Sequence, residues 1–192
     1  MRQLKTACLV LGVFSLLLGI VYPLVMTGVA QLLFPRRASG SLLTVNGRVI
    51  GSELIGQSFA SPGYFHGRPS DCGYDATHSG SSNLGPSNPD LAAKTGDLVR
   101  RVRAENALPE TATAPPDLVL ASGSGLDPDI SPEAAYLQVE RVAHARGVES
   151  AVLHGLVERN TQKPFLGVFG MTRVNVLKLN LALDSISSEK GR

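Results

Sequence analysis

The longest hydrophobic stretch of the chain lies near its N-terminus, where no charged residue occurs between Lys5 and Arg36. Leucine, valine, isoleucine and phenylalanine dominate this stretch, and about 20 apolar residues suffice to cross a hydrocarbon core of roughly 30 Å. The pattern predicts a transmembrane helix over residues 9–34 after a short tail, residues 1–8. Pro23 removes a backbone donor in mid-span and predicts a kink. The kink either packs against partner helices or has no function.

A cleaved secretory signal is the alternative interpretation of this stretch. Arg2 and Lys5 precede the apolar run, and residues 28–30, Gly-Val-Ala, resemble a cleavage site. The run is longer than the roughly 7–15 apolar residues of a signal peptide, which favours an uncleaved anchor. Basic residues flank both ends of the run, so the positive-inside rule gives only a slight preference for a cytoplasmic N-terminus.

Residues 35–192 show both strand-like and helix-like patterning and predict one small α/β (α+β) soluble domain. Apolar residues on both sides of Asn46-Gly47 predict a β-hairpin. The segment from Ser58 to Pro89 is rich in glycine, serine, proline and asparagine and follows neither period. It predicts a long loop, and such loops are usually functional or disordered.

Helical spacing returns in the second half of the chain, together with N-terminal capping signals in which serine or asparagine precedes proline. The four predicted helices begin at about Pro89, Pro132, Glu149 and Asn175. The first two are expected to end before Pro109 and near Gly147. Residues 165–169, Phe-Leu-Gly-Val-Phe, have the composition of a short strand.

Charge and the reactive residue types exclude several classes of function. The formal net charge is +2, from 18 basic and 16 acidic residues that do not form runs, which argues against nucleic-acid binding. The four histidines and Cys72 lack metal-ligand spacing, so no metal site is predicted. Asp127 and Asp129 lie in a Gly/Pro-rich turn, where turn formation explains them without catalysis. No catalytic residue is predicted.

Two segments rich in serine and glycine, residues 79–83 and 121–125, are the remaining candidates for chemistry. Neither has the pattern of a nucleophile elbow. A membrane-anchored hydrolase is therefore a minor alternative, with Ser79, Ser122 and Ser124 as its candidate nucleophiles. The second segment could offer backbone amides to a nucleotide phosphate, although it lacks the Lys-Ser/Thr ending of a P-loop. The weak nucleotide-binding candidates are Ser122, Gly123, Ser124 and Gly125. Arg68 either binds an anion or a partner's acid, or is an ordinary surface arginine.

Several segments, in this order, resemble the C subunit of Kdp-type potassium-transporting ATPases over nearly the whole chain. They are residues 21–24 (VYPL), 51–57 (GSELIGQ), 64–70 (YFHGRPS), 79–85 (SGSSNLG), 121–127 (ASGSGLD), 138–143 (QVERVA) and 174–184 (VNVLKLNLALD). The family commonly has a second glycine in place of Ser81, and Gly-x-Pro in place of residues 170–172. These departures concern local loop conformation.

The resemblance implies a non-catalytic accessory subunit of a pump that uses ATP to drive potassium into the cell. The implied partners are a potassium-translocating subunit, a P-type ATP-hydrolysing subunit, a further small membrane subunit and the lipid bilayer of the bacterial inner membrane. No tightly bound cofactor is implied. Candidates for partner contact are Pro23, Arg68, Ser82, Asn83, Asn175 and Asn180.

The resemblance also implies two roles that conflict. C subunits are described as catalytic chaperones that raise the ATP affinity of the hydrolysing subunit in a transient ternary complex with ATP. They are also described as placing the soluble domain outside the membrane, over the potassium entrance. A domain outside the membrane cannot reach cytosolic ATP. We expect a cytoplasmic N-terminus and a periplasmic or extracellular soluble domain.

Overall fold

The computed structural model describes the backbone of residues 1–189 and the side chains of residues 1–186. The chain forms two compact units, one of residues Met1–Ser52 and a second that begins at Glu53. The first unit carries the long apolar helix and a β-hairpin. The second unit, called the globular unit below, carries the long loop, six helices and a small sheet within its described residues.

The N-terminal helix extends from Arg2 to Leu33 and is long and apolar enough to cross a membrane. It consists of α1, Arg2–Leu16, a π-helical turn, Leu17–Val21, and α2, Tyr22–Leu33. None of the residues of this fully described helix is buried. Because the helix of a soluble protein buries its apolar face, this exposed apolar surface suits lipid. The prediction of one N-terminal membrane-spanning helix is confirmed.

Pro23 occupies the first turn of α2, directly after the π-helical turn. Because the helix is continuous from Arg2 to Leu33, the missing N–H of Pro23 leaves a carbonyl of the preceding turn without its usual donor. The N–H of Tyr22 donates to the carbonyl of Leu17, five residues back. Such wide turns are a known cause of helix kinks, and the proline is accommodated here by this change of pairing.

The hairpin predicted around Asn46-Gly47 is present. A short helix, α3, Pro35–Ala38, precedes the antiparallel strands β1, Leu42–Val45, and β2, Arg48–Ser52. Asn46 and Gly47 have φ angles of 50° and 76°. Two consecutive positive φ angles define the type I′ turn, which explains why the sequence places Asn-Gly there.

Three of the predicted helices of the globular unit begin at a residue whose side chain accepts a backbone N–H: Asn88, Ser131 and Asn175. Asn88 accepts the N–H of Asp90 at 2.8 Å, and Ser131 accepts the N–H of Ala134 at 3.2 Å. Gly147 ends a helix with a φ of 63°. The four predicted helices are confirmed, with the second divided in two at Gln138. The helices are α4, Pro89–Glu105; α5, Pro116–Val119; α6, Pro132–Leu137; α7, Val139–Arg146; α8, Ser150–Asn160; and α9, Val176–Glu189.

A three-stranded antiparallel sheet of order β3-β5-β4 joins the helices. Its strands are β3, Asp129–Ile130, β4, Thr161–Gln162, and β5, Arg173–Asn175. The core lies between this sheet and helices α6 to α9, and its fully buried side chains include Val139, Val142, Leu153, Val157, Val174, Leu179 and Leu183.

The prediction of a strand over residues 165–169 is wrong. These residues form a tight reversal between β4 and β5, closed by one antiparallel bridge between Phe165 and Phe169. Leu166 and Gly167 have φ angles of 53° and 75°, which turn the chain back on itself. The apolar composition is strand-like, but the glycine in the middle permits a turn there instead.

Candidate functional site

The long loop from Ser58 to Pro89 is ordered, and buried side-chain amides hold its first part. The N–H of Phe65 donates to Asn180 Oδ1, and Asn180 Nδ2 donates to the carbonyl of Phe65, both at 2.9 Å. Gln138 does the same for the next residue, accepting the N–H of His66 at 2.7 Å and donating to its carbonyl at 3.1 Å. Phe65, Gln138 and Asn180 are at most 1% exposed. This amide clamp, Gln138 and Asn180 around residues 65–66, takes the place of a paired strand.

Two arginines of α7 bind the carbonyls just before the clamp. Arg141 Nη1 donates to the carbonyls of Pro62 at 2.5 Å and Tyr64 at 3.0 Å. Arg146 Nε donates to the carbonyl of Gly63 at 2.7 Å, and its guanidinium lies 4.4 Å from the centroid of the Tyr64 ring. Charge-assisted hydrogen bonds of this kind are stronger than neutral ones. Three consecutive carbonyls are thereby fixed to one helix.

Arg68 points into the globular unit and joins the loop to the segment that follows α5. Its Nη1 lies 3.0 Å from Asp127 Oδ2, and its Nη2 donates to the carbonyl of Ala121 at 3.4 Å. Arg68 Nε is buried and has no hydrogen-bond partner among the described residues. Here the acid that Arg68 binds belongs to its own chain.

Close backbone packing joins residues 70–80 to residues 121–127. A Cβ at Gly125 would lie 2.6 Å from both Cys72 Sγ and the carbonyl oxygen of Gly80, and the φ of Gly125 is 68°. A Cβ at Gly56 would lie 2.6 Å from the carbonyl oxygen of Asp127, and the N–H of Gly56 donates to the carbonyl of Leu126 at 2.8 Å. This glycine junction, Gly56 and Gly125 against their neighbours, requires residues without side chains.

The candidate nucleotide segment, residues 121–125, lies at the glycine junction. The N–H of Gly125 donates to the carbonyl of Ser122 at 3.2 Å, and the N–H of Leu126 donates to Ser124 Oγ at 3.1 Å. Ser122 is 5% exposed, whereas Gly123 and Ser124 are exposed. These two amides, which a phosphate-binding loop would offer to its ligand, are therefore bonded within the chain. Nucleotide binding here stays a prediction.

The serines considered as nucleophiles have structural partners. Ser79 Oγ donates to the carbonyl of Ser124 at 3.1 Å, and Ser122 Oγ accepts the N–H of Asp127 at 3.5 Å. Within the described residues, the hydrogen bonds of these hydroxyls involve backbone groups and other serines, with no histidine among the partners. A serine nucleophile needs an adjacent base, so the geometry gives the hydrolase alternative no support.

A cavity of about 360 Å³ lies between α4 and the loop. His66, Arg101 and Glu105 line it beside apolar side chains, with His66 Nδ1 3.5 Å from Glu105 Oε2. Burial lowers the pKa of His66 below its ordinary value, the charge of Arg141 lowers it further, and the Glu105 carboxylate opposes the change. The volume suits a small ligand, but Arg101 already pairs with Glu105 at 2.7 Å. Among the described residues, no group of three histidine, cysteine or acidic side chains could hold a metal ion.

Two carboxylates, Asp71 of the long loop and Asp129 of the sheet, have pKa values shifted in opposite directions. Hydrogen bonds from the Lys94 ammonium and the N–H of Ser82 lower the pKa of Asp71. Burial raises the pKa of Asp129, although Arg173 lies 2.9 Å away. Desolvation therefore outweighs the ion pair at Asp129.

The partner-contact candidates fall into two groups. Pro23, Ser82 and Asn83 are exposed. Arg68 is half-buried, and Asn175 and Asn180 are buried, 4% and 1% exposed. Asn175 Nδ2 donates to the carbonyl of Glu53 at 2.9 Å, and Asn180 Nδ2 donates to that of Phe65. The side-chain amides of both asparagines therefore already have hydrogen-bond partners within the globular unit. Partner contact stays a prediction, and accessibility favours the exposed three.

Comparison with known proteins places this chain among membrane pump subunits. The family model KdpC, described as K+-transporting ATPase, c chain, matches residues 4–185. The potassium-transporting ATPase KdpC subunit of Gemmatimonas aurantiaca is 52% identical over 191 residues, covering 98% of this chain and 95% of the relative. That of Caldanaerobacter subterraneus is 52% identical over 171 residues, 89% of each chain. That of Beijerinckia indica is 50% identical over 187 residues, covering 96% and 94%.

The chain belongs to the KdpC family. The resemblance drawn from the sequence is thereby confirmed. Three of the segments that carried it, residues 64–70, 138–143 and 174–184, meet in the amide clamp and its arginines. Two others, residues 79–85 and 121–127, meet at the glycine junction. The segments typical of a KdpC chain therefore form two contact regions of this structure.

Sequence reasoning did not identify Gln138, Arg141 or Arg146 as anchors of the loop. The sequence does contain a signal for such an anchor, namely a polar residue that lies on the apolar, core-facing side of a predicted helix. Gln138 lies next to the fully buried Val139, and Asn180 follows the fully buried Leu179. A buried amide must find partners, and an ordered loop nearby supplies them.

Proposed function

We propose that this KdpC chain is a non-catalytic accessory subunit of a high-affinity, ATP-driven potassium uptake pump. Its N-terminal helix is held in the bacterial inner membrane, and its globular unit docks on the potassium-translocating and P-type ATP-hydrolysing subunits. A further small membrane subunit completes the complex. The exposed apolar helix of a chain matched by KdpC relatives over nearly its full length carries the proposal.

The exposed candidates define where docking is expected. The helix around Pro23 has an altered pairing and an apolar surface that neighbouring membrane helices can pack against. Ser82 and Asn83 lie on the exposed surface of the long loop, where the carboxylate of Asp71 accepts the N–H of Ser82 at 2.9 Å. A rigid, exposed loop costs little conformational entropy on binding, which suits a docking surface.

Substitution of Ser82 by arginine is expected to reduce recovery of the other pump subunits with the tagged chain, because a bulky charge disrupts a packed contact. Recovery is measured by co-purification from mild detergent, with potassium-dependent growth of cells that lack their own copy as a second readout. Ser87→Arg, at another exposed serine of the same loop, is the matched control. Equal recovery of the two variants would refute docking through Ser82. A wild-type chain that purifies without any P-type ATPase would refute the accessory function.

We further propose that the N-terminus is cytoplasmic and the globular unit lies outside the membrane. Charge gives this orientation only slight support, since Arg36, Arg37 and Arg48 after the helix nearly match Arg2, Lys5 and the α-amino group at its start. The alternative, a catalytic chaperone that raises ATP affinity in a ternary complex, requires cytosolic ATP to reach the globular unit. Because the N–H of Gly125 and the side chain of Ser124 are already bonded within the chain, this segment has fewer groups to offer a nucleotide, which supports the first role, assembly at the potassium entrance.

Protease added to intact spheroplasts is expected to remove a C-terminal tag from the full chain. The measurement is an immunoblot for the tag, with detergent-lysed cells as control for protease access. Loss of the tag in intact spheroplasts places the globular unit outside and excludes direct contact with cytosolic ATP. Protection until lysis would overturn the orientation and make the ATP role the one to pursue.

A further inference from the structure

An apolar finger, residues 164–171, projects from the sheet between β4 and β5. Five large apolar side chains in this short segment are between 66% and 82% exposed: Phe165, Leu166, Val168, Phe169 and Met171. Scattered exposed apolar residues are ordinary on a protein surface, but a contiguous cluster marks a binding surface. Among the other described residues of the globular unit, the exposed large apolar side chains are separated along the chain and at most 59% exposed: Leu54, Leu120, Tyr136 and Val152.

The finger has a defined conformation in which its backbone bonds to itself. The N–H of Phe165 donates to the carbonyl of Phe169 at 2.8 Å, and the reverse bond is 2.9 Å long. The N–H groups of Gly167 and Val168 donate to the carbonyls of Pro164 and Phe165 at 3.1 and 3.2 Å. Pro164 has no N–H to satisfy. Most backbone donors of the finger therefore need no partner from outside.

This arrangement fits lipid better than protein. Protein interfaces combine apolar contact with regular hydrogen bonds, about one per 100–200 Å² of buried surface. The finger side chains offer no strong donor or acceptor, and its backbone donors are largely used. A lipid surface, in contrast, offers few hydrogen bonds, and the bonds made within the finger by four of its seven N–H groups lower the cost of moving it out of water.

The base of the finger carries positive charge. Lys163 and Arg173 flank it and are exposed. Arg173 also pairs with Asp129 at 2.9 Å. Basic residues beside an apolar insertion attract anionic headgroups. Because the N-terminal helix already holds the chain in a bilayer, a lipid surface is present at high effective concentration.

We propose that the finger inserts into the interfacial layer of the bilayer, with its apolar tip among the upper acyl chains and Lys163 near the headgroups. Interfacial segments lie about 5–10 Å into the boundary between headgroups and acyl chains. This gives the globular unit a second attachment to lipid besides the helix. The inference does not depend on which side of the membrane the unit occupies.

The test uses the full chain in vesicles of phosphatidylcholine and phosphatidylglycerol, with Cys8→Ala and Cys72→Ser so that labelling is specific. An environment-sensitive fluorophore is attached through Val168→Cys, and the control is Thr113→Cys, at an exposed residue of another loop. Lipids with a nitroxide high on the acyl chain should quench the label at residue 168 several-fold more than the label at residue 113. Adding Phe165→Asp and Phe169→Asp should abolish the difference.

Equal quenching at residues 168 and 113 would overturn the proposal. So would a blue shift at residue 168 that appears only with the other pump subunits and is insensitive to nitroxide lipids, because a protein would then cover the finger. The quenching comparison uses vesicles that contain this chain alone, and the other subunits are added only for the blue-shift measurement. Failure of the quenching test therefore does not bear on the co-purification prediction, and failure of co-purification does not bear on insertion of the finger.

Discussion

Replacing Asn180 by leucine is expected to destabilise the globular unit by about 2–5 kcal/mol, since each buried polar group left unpaired costs about 1–3 kcal/mol. Asn180 satisfies both the N–H and the carbonyl of Phe65, which is fully buried. Leucine has a similar volume but offers neither partner. Both backbone groups would remain buried without hydrogen bonds, and the start of the long loop would detach from α9.

The measurement is urea denaturation of the full chain in mild detergent, followed by circular dichroism. Asn180→Asp separates the two bonds, because it keeps an acceptor for the N–H of Phe65 and places a carboxylate oxygen against its carbonyl. Gln162→Ala, at a half-buried amide on β4, controls for the loss of an amide as such. A free energy of unfolding for Asn180→Leu within experimental error of the Gln162→Ala value would show that the clamp contributes no stability.

Substitution of Gly125 by alanine is expected to open the glycine junction and to cost about 2–5 kcal/mol, the sum of left-handed backbone strain and overpacking. The added Cβ would meet Cys72 Sγ and the carbonyl oxygen of Gly80 at 2.6 Å, at a φ of 68°. The carbonyl belongs to the backbone and cannot move without shifting the loop. The segments 70–80 and 121–127 should therefore separate.

Gly123→Ala is the matched control, since a Cβ at Gly123 has no atom within 4 Å among its described surroundings. Unfolding in urea gives the stability of both variants. Reactivity of Cys72 toward a thiol reagent reports on the junction itself, and it should rise in Gly125→Ala alone. Equal stability and equal Cys72 reactivity in the two alanine variants would contradict the close approach described for Gly125.

The elements predicted correctly from the sequence are those determined by local chemistry. Asn46-Gly47 produces its hairpin, and Asn88 and Ser131 cap their helices through the adjacent backbone. The long apolar N-terminal segment produces its helix. Each of these signals acts within a few residues and does not depend on the rest of the fold.

The elements that were missed depend on contacts distant in sequence. Strands β3, β4 and β5 are two or three residues long, too short to show a period of two, and they exist because they pair with one another. The amide clamp joins residues 115 and 72 positions apart. The finger was predicted as a strand because composition cannot reveal the turn at Gly167.

The candidate site was predicted only in part, for the same reason. The Ser/Gly-rich segment at residues 121–125 was singled out because its backbone amides could bind a nucleotide phosphate, but in the fold Gly125 permits a close approach to Cys72 and Gly80. Asn180 was singled out as a partner contact, and its burial could not be seen without the loop that covers it. Ser82 and Asn83 are exposed, as a docking surface requires.

The π-helical turn at Leu17–Val21 has a consequence for the surface of the N-terminal helix. An extra residue within a helical turn rotates all later positions by about 100° relative to the α-helical phase. A line of side chains that follows one side of α1 therefore continues on a different side of α2. The helix can present its two halves to two different neighbours. In a series of substitutions along it, the contacting face should therefore be assigned separately for α1 and for α2.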